Sequence, residues 1–432
     1  MVQDKENVIL VEQLQVGVYV YLDVGWMHHP FRFNNFKIRD EEQLATIRQL
    51  GLKTVRWDPA RSDLKPLAKE EVAAAAAPAA AQAPAPEAPP AVDPATAAIM
   101  AAKQARMRQL AEHREKIART EQAFTKAANV VQGINKSIFS EPATTLQLVG
   151  QFIGEVAAEL LSAPELAIQV MGSKPASEDV YFHALNVSVL AMILGRELKM
   201  PAEVVRMIGM GALFHDIGLN EIPARISGSP GNLSKAEREF RELHCQYGFD
   251  IGKKVGLPPA ALNIILQHHE HFDGSGYPRK LKGEAIDLLA RTVAVVNAYD
   301  NLCNPANVAQ ALTPHEALSQ IFAQQRNRFD PRLLQAFIRF MGVYPPGTVV
   351  GLSNETLGLV IKTSSARPLK PTVILYDADV PKNEAVMLDL NEEPDVNISR
   401  AIRPGQLPPA VFDYLSPRRR VSYYFDAEGA NA

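Results

Sequence analysis

The chain has 432 residues, a formal net charge of −3 and two cysteines. This length predicts about two or three domains, and the small net charge gives no global case for a nucleic-acid polymer as partner. Cys245 and Cys303 cannot form a disulfide framework, which favours a reducing cytoplasm. The N-terminus lacks a signal-peptide pattern, and no apolar run reaches the roughly 18 residues that a membrane span needs. We therefore expect a cytoplasmic protein without a membrane span.

A small α+β domain is predicted at residues 1–65. Residues 18–22 are β-branched and aromatic, which is typical of a strand. Asp40 and Gln43 have the spacing of a capping box and predict the start of a helix. Residues 54–57 then indicate a returning strand.

The next two segments are a linker and a long helix. Residues 66–95 are rich in alanine and proline, and because proline prevents a continuous helix they predict an extended linker. Residues 96–143 predict one long helix, which could be either a dimerising signalling helix or an amphipathic helix packed on its own domain. Its apolar residues recur every seven positions at Leu110, Ile117, Phe124, Val131 and Ile138.

The remainder divides into a helical part and a β part. Residues 144–343 show apolar periodicity that predicts helices almost throughout, and residues 344–432 predict a β appendage with a poorly ordered tail from Ser416. The expected fold class is mainly α, with a helical-bundle catalytic domain between a small α+β domain and a small β domain. Helices are predicted at 146–161, 183–198, 202–214 and 288–302, and strands at 349–352, 357–361 and 372–375.

Histidines are concentrated in the helical part, where they accompany acidic residues. Imidazole is the commonest protein ligand for first-row metals, and carboxylates complete such sites. A single helical histidine would more often be structural, so the argument depends on the whole set. Its members are His183, His215, Asp216, His244, His268 and His269.

The spacing within this set suits more than one metal ion. Asp216, next to His215, could bridge two ions while the imidazole binds one. His268 and His269 would point about 100° apart on a helix and could serve neighbouring metals. Asp179 precedes His183 by four residues and could add a ligand from the same helix face. Two metals about 4 Å apart can assist an in-line phosphoryl displacement, so the set predicts a metal hydrolase.

Several motifs together resemble the HD-GYP family, a branch of the HD-domain metal phosphohydrolases that cleave the bacterial messenger cyclic di-GMP. They include His215-Asp216-Ile217-Gly218, His268-His269-Glu270 and the loop Asp273-Gly274-Ser275-Gly276-Tyr277-Pro278. The resemblance covers roughly residues 144 to 350. The first sixty or so residues resemble a small domain of unknown function that often precedes this catalytic domain.

The resemblance implies a site, cofactors and partners. It implies two or three divalent metal ions, iron or manganese, although the donor types alone do not exclude zinc. It also implies a loop at Asp273, Gly274, Gly276, Tyr277 and Pro278 that lies beside the site and binds substrate or diguanylate cyclase domains. The implied ligands are His183, His215, Asp216, His244, His268 and His269, with Asn297 and Asp179 at two further ligand positions and His215 and Asp216 as the catalytic pair.

Three departures from the family pattern bear on activity. Asn297 stands where the family has an aspartate ligand, so a negative charge is lost. Leu219 stands where a lysine would contact substrate phosphate, and residues 306–309 replace a cationic stretch. Charge-assisted contacts of this type contribute about 1.5–3 kcal/mol each, so their loss is expected to weaken substrate binding. Arg279, Lys280 and Lys282 follow the loop and could compensate, or could be a solvated surface.

Two functions therefore compete. The first is a metal-dependent phosphodiesterase, expected to be a homodimer, that hydrolyses cyclic di-GMP to the linear dinucleotide or GMP. The second is a degenerate module that binds metal, nucleotide or a partner protein without efficient hydrolysis. The retained histidines favour the enzyme, whereas Leu219 and Asn297 favour the binding module.

Overall fold

The structure is a computed structural model, and it describes residues 7–24, 29, 31, 34–68, 94–162, 165–171, 179–228, 233–363, 367–378, 380–382, 385–416 and 422–428. Contacts between Cα atoms divide the chain into two compact units, 1–112 with 354–356 and 375–387, and 113–353 with 357–374 and 388–432. Most of the predicted linker at 66–95 lies outside the described residues. No helix within the described ranges is long and apolar enough to cross a bilayer.

Helices dominate the structure, and small sheets lie near both ends of the chain, which confirms the predicted fold class. The helices are α1 Glu41–Gln49, α2 Pro94–Ser137, α3 Pro142–Ser162, α4 Asp179–Glu197, α5 Ala202–Leu213, α6 Ala224–Ser227, α7 Lys235–Glu242, α8 His244–Val255, α9 Pro259–Gln267, α10 Leu288–Cys303, α11 Pro314–Gln320, α12 Pro331–Met341 and α13 Pro409–Leu415.

The strands form three sheets. The strands are β1 Val8–Leu10, β2 Tyr19–Tyr21, β3 Asn35–Lys37, β4 Thr54–Trp57, β5 Glu165–Met171, β6 Val349–Leu352, β7 Leu357–Lys362, β8 Thr372–Leu375, β9 Met387–Asp389, β10 Ile398–Ile402 and β11 Ser422–Glu428. Their orders are β1-β4-β2-β3, β10-β6-β7-β8-β9 and β11-β5.

The N-terminal sheet and helix follow the predicted local signals. An Asp40 side-chain oxygen accepts a hydrogen bond from the Gln43 backbone N–H at 2.8 Å, which caps α1 as the sequence indicated. Gly51 follows the helix with a φ of +69°, a conformation that side chains with a Cβ rarely adopt. Strand β4 occupies the predicted residues and pairs antiparallel with both β1 and β2.

The last three positions of the seven-residue pattern, within α2 and just after it, are buried in the second unit. Phe124, Val131 and Ile138 are less than 5% exposed and belong to the same apolar cluster as residues of α3 and α4. The Phe124 ring also stacks on Phe182, with ring centroids 5.3 Å apart. These positions therefore support the interpretation of an amphipathic helix packed on its own domain, and they leave no dimer seam at the three residues. The side chain of Ile117 lies outside the described part of the structure.

Glycines allow close packing around α5, the helix that leads into the site. A Cβ at Gly209 would lie 2.4 Å from the Met192 sulfur on α4, and a Cβ at Gly211 would lie 2.4 Å from Cδ1 of Ile264 on α9. Both contacts are shorter than a Cβ tolerates, so a larger residue at either position would require Met192 or Ile264 to move. The close approach brings Phe214, which follows α5, to the centre of the helical core, together with the next two residues, His215 and Asp216.

Two predictions about regular structure were wrong. Residues 165–171 lie in the segment predicted as helical, and residues 422–428 lie in the tail predicted as poorly ordered, yet they form β5 and β11, which pair antiparallel from Glu165↔Glu428 to Met171↔Ser422. Each strand satisfies the backbone groups of the other, and their separation in the chain hides this pairing from local pattern analysis.

Candidate metal centre

The predicted ligands lie at the ends of helices that meet in the core. His215 and Asp216 follow α5 after one intervening residue, Phe214, and Asp216 is the N-cap of a short 3₁₀ turn. His244 is the first residue of α8, and His268 follows the last residue of α9. His183 differs because it lies inside α4, in its second turn. Four separate segments of the chain therefore supply the cluster.

The outer ring nitrogens of three histidines are held by backbone carbonyls one turn earlier. Because a carbonyl oxygen only accepts, each Nδ1 donates its proton, and each Nε2 therefore faces inward without one when the ring is neutral. The Nδ1–oxygen distances are 2.7 Å from His215 to Ala212, 2.7 Å from His244 to Arg241 and 2.8 Å from His268 to Ile265.

The inner nitrogens converge on the carboxylate of Asp216. Its Oδ2 lies 3.4 Å from Nε2 of His215 and 3.8 Å from Nε2 of His183. Its Oδ1 lies 3.3 Å from Nε2 of His244 and 3.6 Å from Nε2 of His268. Each carboxylate oxygen thus serves a different pair of histidines, which is the arrangement that a bridging ligand between two ions requires.

The charge state of the histidines makes this a cluster of acceptors. Burial lowers the pKa of His215 to about 3, and the charges of His268 and His183 act in the same direction. Burial also lowers the pKa of His268 and, more strongly, of His269. Near neutral pH these rings present lone pairs to one another and to a carboxylate. Such an arrangement is satisfied by a cation, so the residues present fit a metal ion.

Asp216 stays ionised in this environment. Burial would raise the pKa of its carboxyl group, but the interactions with His215, His244 and His268 hold that pKa well below its usual value. A permanent anion at the centre is what a bridging ligand needs.

Two overlapping ligand groups follow from these distances. Within each, one ligand atom per residue lies within 4.8 Å of all the others. The four-ligand group contains Asp216, His244, His268 and His269, and the three-ligand group contains His183, His215 and Asp216. The described residues therefore supply a His/Asp cluster suited to divalent metal ions.

Asn297 and Asp179 are less simply placed. Asn297 is 3% exposed on α10, and its Oδ1 accepts a hydrogen bond from Asn301 Nδ2 at 2.7 Å. Asp179 begins α4, but its side chain lies outside the described part of the structure. Both therefore stay predictions as ligands. Leu219 is half-buried and lies in the 3₁₀ turn that follows Asp216.

Gly218 brings the Asp216 turn against α8. A Cβ at this position would lie 2.0 Å from the carbonyl oxygen of His244 and 2.5 Å from the backbone nitrogen of Gly248. Because both neighbours are backbone atoms, no rotation could relieve the contact. The glycine therefore sets the distance between Asp216 and His244.

The loop at 273–278 covers one side of the cluster. The Tyr277 ring stacks on the His269 imidazole with centroids 4.6 Å apart, and its backbone N–H donates to the His269 carbonyl oxygen at 3.1 Å. A Cβ at Gly276 would lie 2.3 Å from the backbone nitrogen of His271, so the loop can pass here only as glycine. Burial raises the pKa of the Tyr277 phenol well above its usual value. Asp273 is exposed at the outer end of the loop.

Glu270 anchors this loop, a role that sequence reasoning missed. It is 2% exposed, and its Oε1 and Oε2 accept hydrogen bonds from the backbone N–H groups of Arg279 at 2.6 Å and Leu281 at 2.9 Å. The sequence signal for this role was the position of an acidic residue directly after His268-His269 and shortly before the loop. The side chains of Arg279, Lys280 and Lys282 are exposed, which supports their interpretation as a solvated surface.

Asp300 is the second residue that sequence reasoning missed. Its Oδ2 lies 2.6 Å from Nδ1 of His183. Burial would lower the pKa of His183, but the hydrogen bond and charge of Asp300 raise it above its ordinary value. The spacing of Asp300 and Asn304, the residue that caps the C-terminus of α10, was the local signal.

Comparison with known families assigns three domains. Residues 7–149 match a domain of unknown function, DUF3391, residues 159–333 match the HD domain, and residues 349–408 match the KOW domain associated with HD domain. The chain therefore contains an HD domain, preceded by the small domain of unknown function that its N-terminus was expected to contain.

Individual proteins are similar to this chain in sequence or in structure. The chain is 29% identical over 374 residues to cyclic di-GMP phosphodiesterase PA4108 of Pseudomonas aeruginosa, which covers 85% of this chain and 84% of that protein. It is also 37% identical over 156 residues to the cyclic di-GMP phosphodiesterase response regulator RpfG of Xanthomonas campestris pv. campestris. That alignment covers 36% of this chain and 41% of that protein. A solved structure of Bd1817, an HDG"Y"P protein from Bdellovibrio bacteriovorus, aligns over 76% of this chain and 97% of its own, with a TM-score of 0.42 and 15% identity. The family match and the two sequence relatives confirm the resemblance to HD-domain proteins that include cyclic di-GMP phosphodiesterases.

Proposed function

We propose that this protein is a metal-dependent phosphodiesterase that hydrolyses cyclic di-GMP to the linear dinucleotide or GMP. The observation that carries the proposal is the convergence of four imidazole Nε2 atoms on the two oxygens of Asp216, at 3.3 to 3.8 Å. The relative named cyclic di-GMP phosphodiesterase, aligned over 84% of its length, supports the substrate.

Two divalent ions, iron or manganese, suit the proposed site, since imidazole and carboxylate are their common ligands. Bound there, such ions supply Lewis-acid stabilisation of the charge that develops on a phosphodiester and lower the pKa of water. The protein would contribute the carboxylate of Asp216 and the imidazoles whose outer nitrogens are held by hydrogen bonds. The ring of Tyr277 covers His269 and limits access of bulk solvent from that side.

The proposed site has no cation at position 219, where the HD-GYP pattern has a lysine that would contact substrate phosphate. Leu219 is apolar and half-buried in the turn after Asp216 and offers no charge to a phosphate. Binding of cyclic di-GMP is therefore expected to be weaker than in a site with a lysine there. The proposal is an enzyme with modest affinity for its substrate.

A degenerate binding module is the second candidate function. It is favoured by Leu219 and by the hydrogen bond from Asn301 Nδ2 to Asn297 Oδ1, which engages the side-chain oxygen that would bind metal. Such a module would bind metal and nucleotide and recognise a partner through the loop at 273–278.

Incubation of anaerobically purified, iron- or manganese-loaded protein with cyclic di-GMP tests the choice, with products resolved over time by chromatography. Linear dinucleotide or GMP that forms with the unmutated protein, but not with the His215→Ala/Asp216→Ala variant, supports the enzyme. If the fully metal-loaded protein forms no product, the result would support the binding module and contradict the enzyme. A parallel incubation with a mixed guanine–adenine cyclic dinucleotide tests the base preference.

Three further parts of the proposal concern location and assembly. We propose a cytoplasmic location, a homodimer, and binding of diguanylate cyclase domains at the loop that contains Tyr277. Cell fractionation, light scattering of the purified chain, and co-purification with an isolated diguanylate cyclase domain test them in turn. Loss of co-purification in Tyr277→Ala, with retained metal content, would support the loop as the contact.

A further inference from the structure

The outer nitrogen of His183 has a different kind of hydrogen-bond partner from the outer nitrogens of His215, His244 and His268. His215, His244 and His268 each donate Nδ1–H to a neutral backbone carbonyl. The Nδ1 of His183 instead lies 2.6 Å from a carboxylate oxygen of Asp300 on another helix. A carboxylate in this position fixes the orientation of the ring and makes its inner nitrogen a stronger donor.

Asp300 is built into the core as a hydrogen-bonded partner of His183. The residue is fully buried, and its Oδ1 accepts hydrogen bonds from the side-chain amides of Asn186 and, at 2.9 Å, Asn304. Among the described residues its one ion-pair partner is His183. Protein donors engage both carboxylate oxygens, and Asp300 belongs to neither of the two ligand groups.

The surroundings of His183 need such a charge. The three-ligand group contains one carboxylate, that of Asp216, which it shares with the four-ligand group. Asn297, one turn before Asp300 on α10, is neutral, and its Oδ1 is hydrogen-bonded to Asn301. A divalent ion near His183 and His215 would therefore receive only part of the charge of one shared carboxylate. Further negative charge could reach it through the outer nitrogen of His183.

We propose that Asp300 is a positioning residue that supplies this charge through the His183 imidazole and thereby determines whether the three-ligand group retains its metal ion. The inference rests on the proposed metal centre and deepens it. Its consequence is an asymmetry between the two metal positions. The ion at Asp216, His244, His268 and His269 does not depend on Asp300, whereas the ion at His183 does.

The Asp300→Asn variant tests the inference through metal content. The variant keeps the size of the side chain and a carbonyl oxygen but removes the charge. After manganese loading and dialysis, we expect metal content to fall by about one ion per chain, with affinity at the weaker position reduced about 10- to 100-fold. In electron paramagnetic resonance, the signal of coupled manganese ions should give way to the six-line signal of an isolated ion.

Two matched variants accompany this measurement. Asp330→Asn makes the same change at a buried carboxylate that caps α12 and pairs with Arg291, and it should leave metal content unchanged. Asn297→Asp in the Asp300→Asn background places the charge on the same face of α10 and should restore the second ion. If Asp300→Asn does not fold, Asn304→Ala, which removes one donor to Asp300 but leaves the carboxylate, should weaken the same ion to a smaller degree.

The outcomes separate this inference from the proposed hydrolysis. Retention of both ions with unchanged affinity in Asp300→Asn, or in Asn304→Ala where that variant is needed, would overturn the inference even if cyclic di-GMP is hydrolysed. An equal loss of both ions in the folded variant would overturn it as well. The expected loss of one ion would support it even if no variant hydrolyses cyclic di-GMP.

Discussion

The two sides of the metal centre are built in different ways. On one side, His215, His244 and His268 lie at helix ends, and backbone carbonyls hold their outer nitrogens. On the other side, His183 lies inside a helix and is oriented by the side chain of Asp300. The backbone-held side depends little on which side chains surround it. The His183 side can be changed by single substitutions, and the departure at Asn297 lies there.

The largest expected effect comes from Asp216, the one residue that the two ligand groups share. We expect Asp216→Asn to lose both metal ions and to reduce product formation by more than about 100-fold, because loss of an outer partner alone costs about 10- to 100-fold. Metal analysis and product chromatography measure the two effects. Asp250→Asn on α8, whose Oδ1 accepts from the Gln246 side chain, is the matched control and should change neither. Retained metal in Asp216→Asn would contradict the bridging role.

The second prediction strengthens the weaker side. Asn297→Asp together with Leu219→Lys restores one metal-facing charge and one phosphate-facing cation. We expect turnover of cyclic di-GMP to rise about 10- to 100-fold, since a charge-assisted contact contributes about 1.5–3 kcal/mol. The single variants separate the effects: Asn297→Asp should act on metal content and Leu219→Lys on KM. A double variant that binds metal normally but gains no activity would show that these departures do not limit hydrolysis.

The third prediction disturbs the backbone-held side. We expect Gly218→Ala to lower the free energy of unfolding by about 3 kcal/mol, because its Cβ would meet backbone atoms of His244 and Gly248. Urea denaturation measures the change. Gly150→Ala and Gly154→Ala are matched controls inside α3, where a Cβ meets nothing within 4 Å, and each should stabilise by about 0.5–1 kcal/mol. Equal stability of Gly218→Ala and the controls would refute the close approach.

The same division explains how much of the site could be predicted from the sequence. His215-Asp216 and His268-His269 stand out because adjacent ligands at helix ends leave a local pattern. The contact of Asp300 with His183 joins residues 117 positions apart, and it depends on how α10 packs against α4. No local periodicity encodes that distance, so the role of Asp300 was missed.

The fold shows a parallel limit. Capping and periodicity placed α1 and the helices from α3 to α5 close to their observed bounds, because those signals are local. Strand β5 was missed because its seven residues are stabilised by β11, far along the chain. Glu270 was passed over for a related reason, since its partners are backbone N–H groups that the loop brings to it.

The last prediction uses the opposite titration of the two sides. The pKa of His215 is lowered to about 3, so below its ordinary value of about 6.5 the unfolded chain binds a proton that the folded chain does not. The free energy of unfolding of the metal-free protein should therefore fall by about 2 kcal/mol from pH 7 to pH 5 through this residue. The pKa of His183 is raised, so its contribution is fully present below the ordinary value and is lost as the pH rises through the raised one.

Urea denaturation of chelator-treated protein at pH 7, 6 and 5 measures this dependence. His215→Gln should flatten the loss of stability toward acid pH, because a group that resists protonation has been removed. His183→Gln should steepen it, because a group that gains stability on protonation has been removed. Asp216 does not contribute between these pH values, since its pKa lies well below its usual range. The same change of slope in both variants would mean that the two sides do not differ in charge environment, and the comparison between them would fail.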